Sequence, residues 1–396
     1  MKRAIIKKVG VVCAYQFPEG MAPTTRILAY CKGLQQNGVS CEIFTFKATP
    51  SNTREPLSGV VDGIPYQKSY IKCGKRGGGK LCDKLSMLKR LKGQIRQSNN
   101  LKPFDYLLIS FDSLDKLYSI VPIIRSLGIR MLFIGDEFPE PIRRLRGDIP
   151  GWQKPAYRFI HRYFDGRILM TENLKKFYDE CAGKKPTYIL NSIIDEKRFT
   201  GIKKRTVTQK YLCYMGNMQL AKDNVDNIIK AFSKVSSEFP DYQLWLFGTP
   251  SNEDRKVVER TILECHMEDK VLIKGRAGFD KVPQILANAS LLVTSQPITK
   301  RAQGGFPTKM AEYMMSGTPM IVTNVGEISQ YVQDSVNAYI VEPCNPEAYS
   351  QKLCYILSTP NESEQIAKRA YEYAKANFCS KPVTKKMIDF LAKLNK

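Results

Sequence analysis

The sequence predicts an α/β protein made of two parallel-sheet domains, and three observations carry that expectation. The chain has 396 residues, more than the roughly 250 to 300 at which a single core stops growing. Short apolar runs rich in β-branched and aromatic residues recur between segments of helical periodicity, and they fall into two series. A polar, basic stretch without clear periodicity, DEKRFTGIKKRTVTQ (195–209), separates the series and reads as the interdomain linker.

The first series is VGVVCAY (9–15), CEIFTF (41–46), DYLLIS (105–110), RMLFIG (130–135), GRILMT (166–171) and TYILN (187–191). The second is YLCYMG (211–216), YQLWLFG (242–248), KVLIKG (270–275), SLLVTS (290–295), MIVTN (320–324) and AYIVE (338–342). Runs of this length, apolar on both faces, are strands covered by helices on either side. Such strands pair in parallel, and their ligand-binding loops gather at the carboxyl ends of the sheets. The boundaries expected are 1–195, a linker at 196–208, a second domain at 209–375 and a closing helix at 376–396. In that helix Met387, Phe390, Leu391 and Leu394 share one side.

Composition narrows the partners. Lys plus Arg is 61 against 38 acidic residues, and the formal charge of +23 predicts attraction to nucleic acid, phosphorylated small molecules or an anionic membrane face. The eleven cysteines are scattered singly, with no CxxC pair and no metal-ligand spacing, as in a reduced cytosolic protein. His161 and His266 are the only histidines, which excludes a His-rich zinc site and argues against a His-based triad; the first reads as a helix-face residue, the second as surface. The opening MKRAIIKKVGVVCAYQFPEG reads as a first strand, because its apolar run is short and no small-residue cleavage site follows. No window approaches the roughly 18 apolar residues of a membrane span, so membrane contact is expected to be peripheral.

The most informative stretch is GGFPTKMAEYMMSGTPMIVTNVG (304–326), a glycine-rich turn, a helix and a strand in succession. Gly304, Gly305 and Pro307 break regular structure, so the helix is expected to begin near Thr308 with its first N–H groups turned toward an anion. Glu312 falls about one turn inside it, and Gly317 with Pro319 ends it.

In order, YMGNMQLAKDNVDNIIKAF (214–232), FPDYQLWLFG, VLIKGRAGFDKVPQILANASLLVTS (271–295) and GGFPTKMAEYMMSGTPMIVTNVGEISQYV (304–332) resemble the donor-binding domain of retaining glycosyltransferases of the GT-B fold. The similarity is to the large family, often called family four, that includes bacterial lipopolysaccharide and capsule transferases. FPEGMAPTTRILAYCKGLQQNGVSCEIFT (17–45) and ILNSIIDEKRF (189–199) are similar to that family's opening loop and helix and to its crossover. The resemblance implies two Rossmann-like domains facing a central cleft, an acceptor-binding half first and a donor-binding half second. It also implies that the C-terminal helix packs across the lobes and returns to the first.

The resemblance also assigns roles. Glu312 matches the second glutamate of the family's E-x7-E motif, a clamp on the ribose hydroxyls, and a carboxylate suits that task because it accepts two hydrogen bonds from a vicinal diol. The first glutamate position is Gly304 here. Lys222 matches the family's lysine on the diphosphate, Asn217 stands where an arginine is common, and Arg301, with Lys300 as competitor, is the candidate replacement. Gly216, Asn217, Arg276, Gly305, Phe306, Pro307 and Thr308 complete the expected donor site, the last few through backbone amides. In the first half Gly20 and Met21 match the loop that approaches the phosphates and acceptor, and Asp136 is the candidate acceptor or sugar contact.

No D-x-D triplet occurs, so no metal and no cofactor is expected; fixed cations and amides are to stabilise the departing nucleoside diphosphate. The donor implied is a UDP- or GDP-sugar and the acceptor a saccharide or lipid-linked saccharide in cell-surface polysaccharide assembly, at a cytoplasmic, peripheral membrane location. From Lys72 to Arg96 the chain carries nine Lys or Arg and one acid, Asp83. There Leu81, Leu85, Leu88 and Ile95 share one face of a basic amphipathic helix, which fits equally a helix lying on an anionic bilayer and an ordinary helix whose apolar face meets the core; PIRRLRGDIPGWQKPAYRFIHRYF (141–164) is a second such segment. The alternatives are a non-hydrolysing sugar-nucleotide epimerase of the same fold, and a basic nucleic-acid- or membrane-binding protein without catalysis. The nucleic-acid reading rests on charge alone and lacks a binding module.

Overall fold

Every apolar run identified above forms a strand in the computed structural model of the protein, which describes residues 5–20, 22–50, 56–72 and 79–394. The first compact unit takes Met1–Ile142, Gly147–Asp195 and Cys379–Lys396; the second takes Arg143–Arg146 and Glu196–Phe378.

Strands of the first unit are β1 (Lys8–Cys13), β2 (Ser40–Thr45), β3 (Thr49–Pro50), β4 (Ser58–Val61), β5 (Ile64–Lys68), β6 (Ile71–Lys72), β7 (Tyr106–Ser110), β8 (Met131–Gly135), β9 (Gly166–Leu169) and β10 (Thr187–Ile189). Its helices are α1 (Ala22–Gln36), α2 (Gly79–Leu101), α3 (Leu114–Arg125), α4 (Glu140–Arg143), α5 (Gln153–His161) and α6 (Glu172–Ala182). The eight-stranded sheet runs β10-β9-β8-β7-β1-β2-β5-β4, parallel except for β4, which pairs antiparallel with β5. That hairpin adds to the expected strands, and the sequence carries its signal: Asp62-Gly63 joins Val61 to Ile64 with φ of 50° and 78°, as a two-residue hairpin turn requires.

The second unit holds β11 (Lys210–Met215), β12 (Tyr242–Phe247), β13 (Val271–Gly275), β14 (Leu291–Val293), β15 (Met320–Thr323) and β16 (Tyr339–Val341). Its helices are α7 (Val225–Val235), α8 (Asn252–Glu264), α9 (Val282–Asn288), α10 (Lys300–Gly304), α11 (Lys309–Met315), α12 (Pro346–Ser358) and α13 (Pro360–Asn377). Its sheet, β13-β12-β11-β14-β15-β16, is parallel throughout. The chain moves outward from β11 through β12 to β13, then outward the other way from β14 to β16. The order therefore reverses between β11 and β14, and the loops after those two strands open apart, leaving the crevice where doubly wound sheets bind ligands.

The last helix, α14 (Ser380–Leu394), packs on α1. Met387 and Leu391 are fully buried and Phe390 and Leu394 pack against the same core, as their spacing predicts. The approach is close enough that a Cβ on Gly33 would overlap the Ser380 carbonyl, and Asn37 donates to the Lys381 carbonyl at 2.9 Å.

One expectation needs correction. In α2 the side facing the sheet is Met87, Leu91 and Ile95; Leu81 is 66% and Leu85 58% exposed. The stripe from Leu81 through Leu88 meets Lys92 at its next turn, whereas the stripe from Met87 continues apolar to Ile95, so burial favours the second. The basic residues within 73–78 lie outside the described residues. His161 is on the inner face of α5, fully buried among the rings of Phe133 (4.7 Å), Phe164 (5.3 Å) and Tyr178 (5.3 Å). Desolvation holds its pKa well below the ordinary histidine value, so the imidazole is a neutral core group.

Candidate donor site at the strand-order reversal

The loop after β11 is shaped by a backbone-to-backbone contact. Gly216 N–H donates to the Phe247 carbonyl at 3.0 Å, and a Cβ on Gly248, whose φ is 136°, would overlap the Gly216 carbonyl oxygen. Only glycine meets both demands at 248. The chain then turns tightly, with Lys222 N–H and Asp223 N–H both donating to the Gln219 carbonyl at 2.8 and 2.7 Å. Asn224 N–H bonds the Ser295 carbonyl at 2.6 Å and Asn227 Nδ2 the Ser295 hydroxyl at 3.3 Å, which fixes this loop to the one after β14.

After β14 the chain does not break at Gly304 as expected. Thr299 accepts from Ala302 N–H at 3.1 Å and caps the short helix α10, whose last residue is Gly304. A good cap and five consecutive helical residues outweigh the weak propensity of one terminal glycine. The break comes at Gly305, Phe306 and Pro307, and Thr308 then leads into α11. The Phe306 side chain is buried beside Tyr331 (5.1 Å) and Phe378 (6.1 Å); it anchors the turn. Gly326, with φ of 65°, lets the turn after β15 lie on α10, because a Cβ there would come within 2.7 Å of the Ala302 carbonyl.

Helix α11 joins these parts. Tyr313 Oη accepts from Met215 N–H at 2.9 Å. Lys309 Nζ, whose side chain is 14% exposed, bonds Asp223 at 2.7 Å and lies 4.4 Å from the Tyr214 ring centroid. Burial pulls the Lys309 pKa down, the Asp223 carboxylate opposes that, and the nearby Lys222 charge adds to the lowering. Lys309 is a buried cation that sequence reasoning missed, although it directly follows Thr308. From α10, Arg301 Nη1 donates to Gln219 Oε1 at 3.2 Å. Lys222, Lys309 and Arg301 therefore converge on the loop after Gly216, a concentration of positive charge suited to phosphate oxygens.

Glu312, one turn along α11, forms an ion pair with Arg198 Nη1. Arg198 lies in the 3-10 turn Glu196–Phe199. Its Nη2 donates to the Phe279 carbonyl at 3.3 Å, and its guanidinium lies 3.8 Å from the Phe279 ring centroid. In the sequence Arg198 is legible only as part of the crossover motif, and nothing in its spacing ties it to Glu312. The segment 196–208, read from the sequence as a linker, is docked on the second unit: Arg205 N–H donates to Asn288 Oδ1 at 3.0 Å and Gln284 Nε2 to the Lys203 carbonyl at 2.8 Å.

The remaining candidates are placed as follows along the chain. Asn217 and Arg276 are exposed, at the turns after β11 and β13. Gly20 closes a tight turn after β1, where a Cβ would overlap the Thr24 side chain; Met21 lies outside the described residues. Asp136 pairs with Arg26 at 3.1 Å, and Arg26, itself buried, also donates to the Leu190 and Asn191 carbonyls at 2.8 and 3.1 Å. That network joins α1 to the ends of β8 and β10, so Asp136 serves at least a structural purpose. Among the described residues no group of three or more His, Cys, Asp or Glu is placed to hold a metal ion.

Two doubly wound sheets in one chain are the arrangement of the GT-B fold. The family model described as "Glycosyl transferases group 1" matches residues 195–373, and that part of the chain is similar to the family. The chain is 22% identical over 235 residues to the poly(glycerol-phosphate) alpha-glucosyltransferase of Bacillus subtilis (strain 168), an alignment covering 58% of this chain and 33% of the relative. It thus spans about a third of that relative's length. Sucrose-phosphate synthase from Thermosynechococcus elongatus superposes with a TM-score of 0.74 at 13% identity, covering 98% of this chain and 99% of the other. Anabaena Alr3699/HepE in complex with UDP superposes with a TM-score of 0.69 at 13% identity, covering 98% and 100%.

Proposed function

We propose that the protein is a glycosyltransferase that moves a sugar from a nucleoside-diphosphate sugar to a saccharide or lipid-linked saccharide, with retention of configuration, in cell-surface polysaccharide assembly. The observation that carries this reading is the convergence of Lys222, Lys309 and Arg301 on the Gly216 loop, one helical turn from the Glu312 carboxylate. In the reaction the bond from the sugar's anomeric carbon to the diphosphate oxygen breaks, and the acceptor oxygen bonds to that carbon on the same face. The acceptor's proton passes to a donor phosphate oxygen. Lys222 and Arg301 stabilise the charge growing on the leaving diphosphate, and the N–H groups of Phe306 and Thr308 add fixed dipoles. Glu312 holds the ribose diol through its carboxylate. UDP is the first donor nucleotide to try, since it is bound in the Anabaena neighbour, with GDP the alternative.

Melting the protein with UDP, GDP and their sugars in the presence of EDTA tests the donor site. A ligand at about a hundred times its Kd should add about 2.7 kcal/mol of stability; no response to any of these nucleotides removes the donor-site assignment.

The acceptor side of the proposal rests on the first unit. Helix α2 contacts α3, and α3 contacts α5, so the three lie side by side. Their outer surfaces carry exposed Leu81, Leu85, Tyr118, Trp152 and Phe159 among Lys84, Lys89 and Arg162. Tyr118 stacks on Phe159 at 6.1 Å, and the Arg162 guanidinium covers Phe159 at 3.9 Å. Aromatic and leucine side chains beside cations fit the headgroup region of an anionic bilayer, where each basic residue contributes about 1 kcal/mol. Among the described residues no helix is long and apolar enough to cross a membrane, so this contact is peripheral. Flotation with phosphatidylglycerol-containing vesicles should recover the protein, and Lys84→Glu with Lys89→Glu should lower that recovery severalfold; equal recovery of both refutes the membrane face.

A further inference from the structure

A cavity of about 480 Å³ lies in the second unit between the docked segment 202–207, the side of α9 and the sheet. Its size falls within the range of about 300–1,000 Å³ in which small molecules bind. The floor is aromatic and fixed. Tyr211 and Trp245 stack at 3.9 Å with their ring planes 8° apart. Tyr211 Oη donates to the Ile285 carbonyl at 2.7 Å, and Trp245 Nε1 to Gln243 Oε1 at 2.9 Å. Both polar ring atoms are thus committed within the protein, and the rings offer the cavity carbon alone. Polar groups of both kinds surround that floor. Gln284 Nε2 donates to the Lys203 carbonyl and to Asn288 Oδ1, each at 2.8 Å, and Asn288 Oδ1 also accepts from Arg205 N–H at 3.0 Å. Gln284 Oε1 remains as an acceptor and Asn288 Nδ2 as a donor. The side chains of Arg205, Asp280 and Lys281 also line the cavity, and among the described residues they form no ion pair. Lys274 Nζ, 4.4 Å from the Trp245 ring centroid, adds a donor beside the floor.

We propose that this cavity is a second saccharide site, one that takes a pyranose ring without a nucleotide. It stands apart from the donor site. Tyr211 is at the amino end of β11 and lies five residues before Gly216, a distance of about 16 Å at the rise of a strand. The lining separates three classes of ligand. A phosphate needs donors alone, and the Asp280 carboxylate and Gln284 Oε1 oppose it. An apolar molecule strips water from Arg205, Asp280 and Lys281 and returns no hydrogen bond to them. A pyranose presents C–H bonds on its ring faces, which suit aromatic carbon, and hydroxyls around its edge that both donate and accept, which suit the mixed rim. None of these residues belongs to the donor site, so the two sites stand or fall separately.

The chain has two tryptophans, Trp152 and Trp245, so Trp152→Phe leaves Trp245 as the sole indole and its emission reports on the cavity. Titration of that protein with maltose, cellobiose, N,N′-diacetylchitobiose and glucuronic acid should change the emission saturably for at least one of the four, and inorganic phosphate should leave it unchanged. In the same background Arg205→Ser should keep the melting temperature, because the bond from Arg205 to Asn288 is made by the backbone N–H. It should weaken the responding saccharide about tenfold, as loss of one hydrogen bond from a charged group does. Val207→Phe, which fills the cavity, should abolish the response. No change with any of the four saccharides, a response to phosphate, or wild-type affinity in Val207→Phe overturns the proposal. If Val207→Phe does not fold, wild-type affinity in Arg205→Ser overturns it instead.

Discussion

Asp223→Leu is expected to destabilise the second unit by about 3–5 kcal/mol, because it leaves the Lys309 ammonium buried without its partner. Asp223 is 3% exposed, its carboxylate is 2.7 Å from Lys309 Nζ, and the loop between Gln219 and Asn224 is folded around that contact. The loss should appear as a melting transition lowered by on the order of 10 °C. Lys309→Met with Asp223→Leu replaces the pair by apolar groups and should recover most of the stability, since a well-packed hydrophobic substitute often matches a buried ion pair. A double variant as unstable as Asp223→Leu alone would mean that Asp223 acts through another partner.

Lys222→Met is expected to lower kcat for sugar transfer by about 10²–10³-fold, the usual cost of removing one preorganised charge from a site where charge develops. The effect should fall on kcat more than on donor KM, because the diphosphate gains charge as the glycosidic bond breaks. Lys222→Arg, which keeps the charge, should retain more activity. A rise in donor KM with kcat intact would instead make Lys222 a ground-state binding group. Arg301→Met should act in the same direction, because Arg301 meets the same loop through Gln219.

The strands were readable because each buried run is apolar on both faces, a pattern that depends on sequence alone. Glu312 was readable because a helix fixes its distance from the glycine turn. Arg198 and Lys309 were not, for a common physical reason: each acquires its meaning from a residue distant in the chain. The pair between Arg198 and Glu312 spans 114 positions and that between Lys309 and Asp223 spans 86, and neither spacing leaves a periodic trace. In α2 the sequence reads with its stripe through Leu81 and Leu85, and packing against the sheet selects the one through Met87 and Leu91 instead. The hairpin at Asp62-Gly63 was not among the expected strands, although its turn residues carry the signal.

The docking of residues 196–208 bears on how the protein can be divided for expression. A fragment beginning at 209 would contain all six strands of the second sheet, yet it would lack Arg198 and leave Glu312 without its ion-pair partner. It would also strip Asn288 and Gln284 of their bonds to Arg205 and Lys203. A fragment beginning at 195 keeps all of these, so the severable boundary lies before the crossover turn.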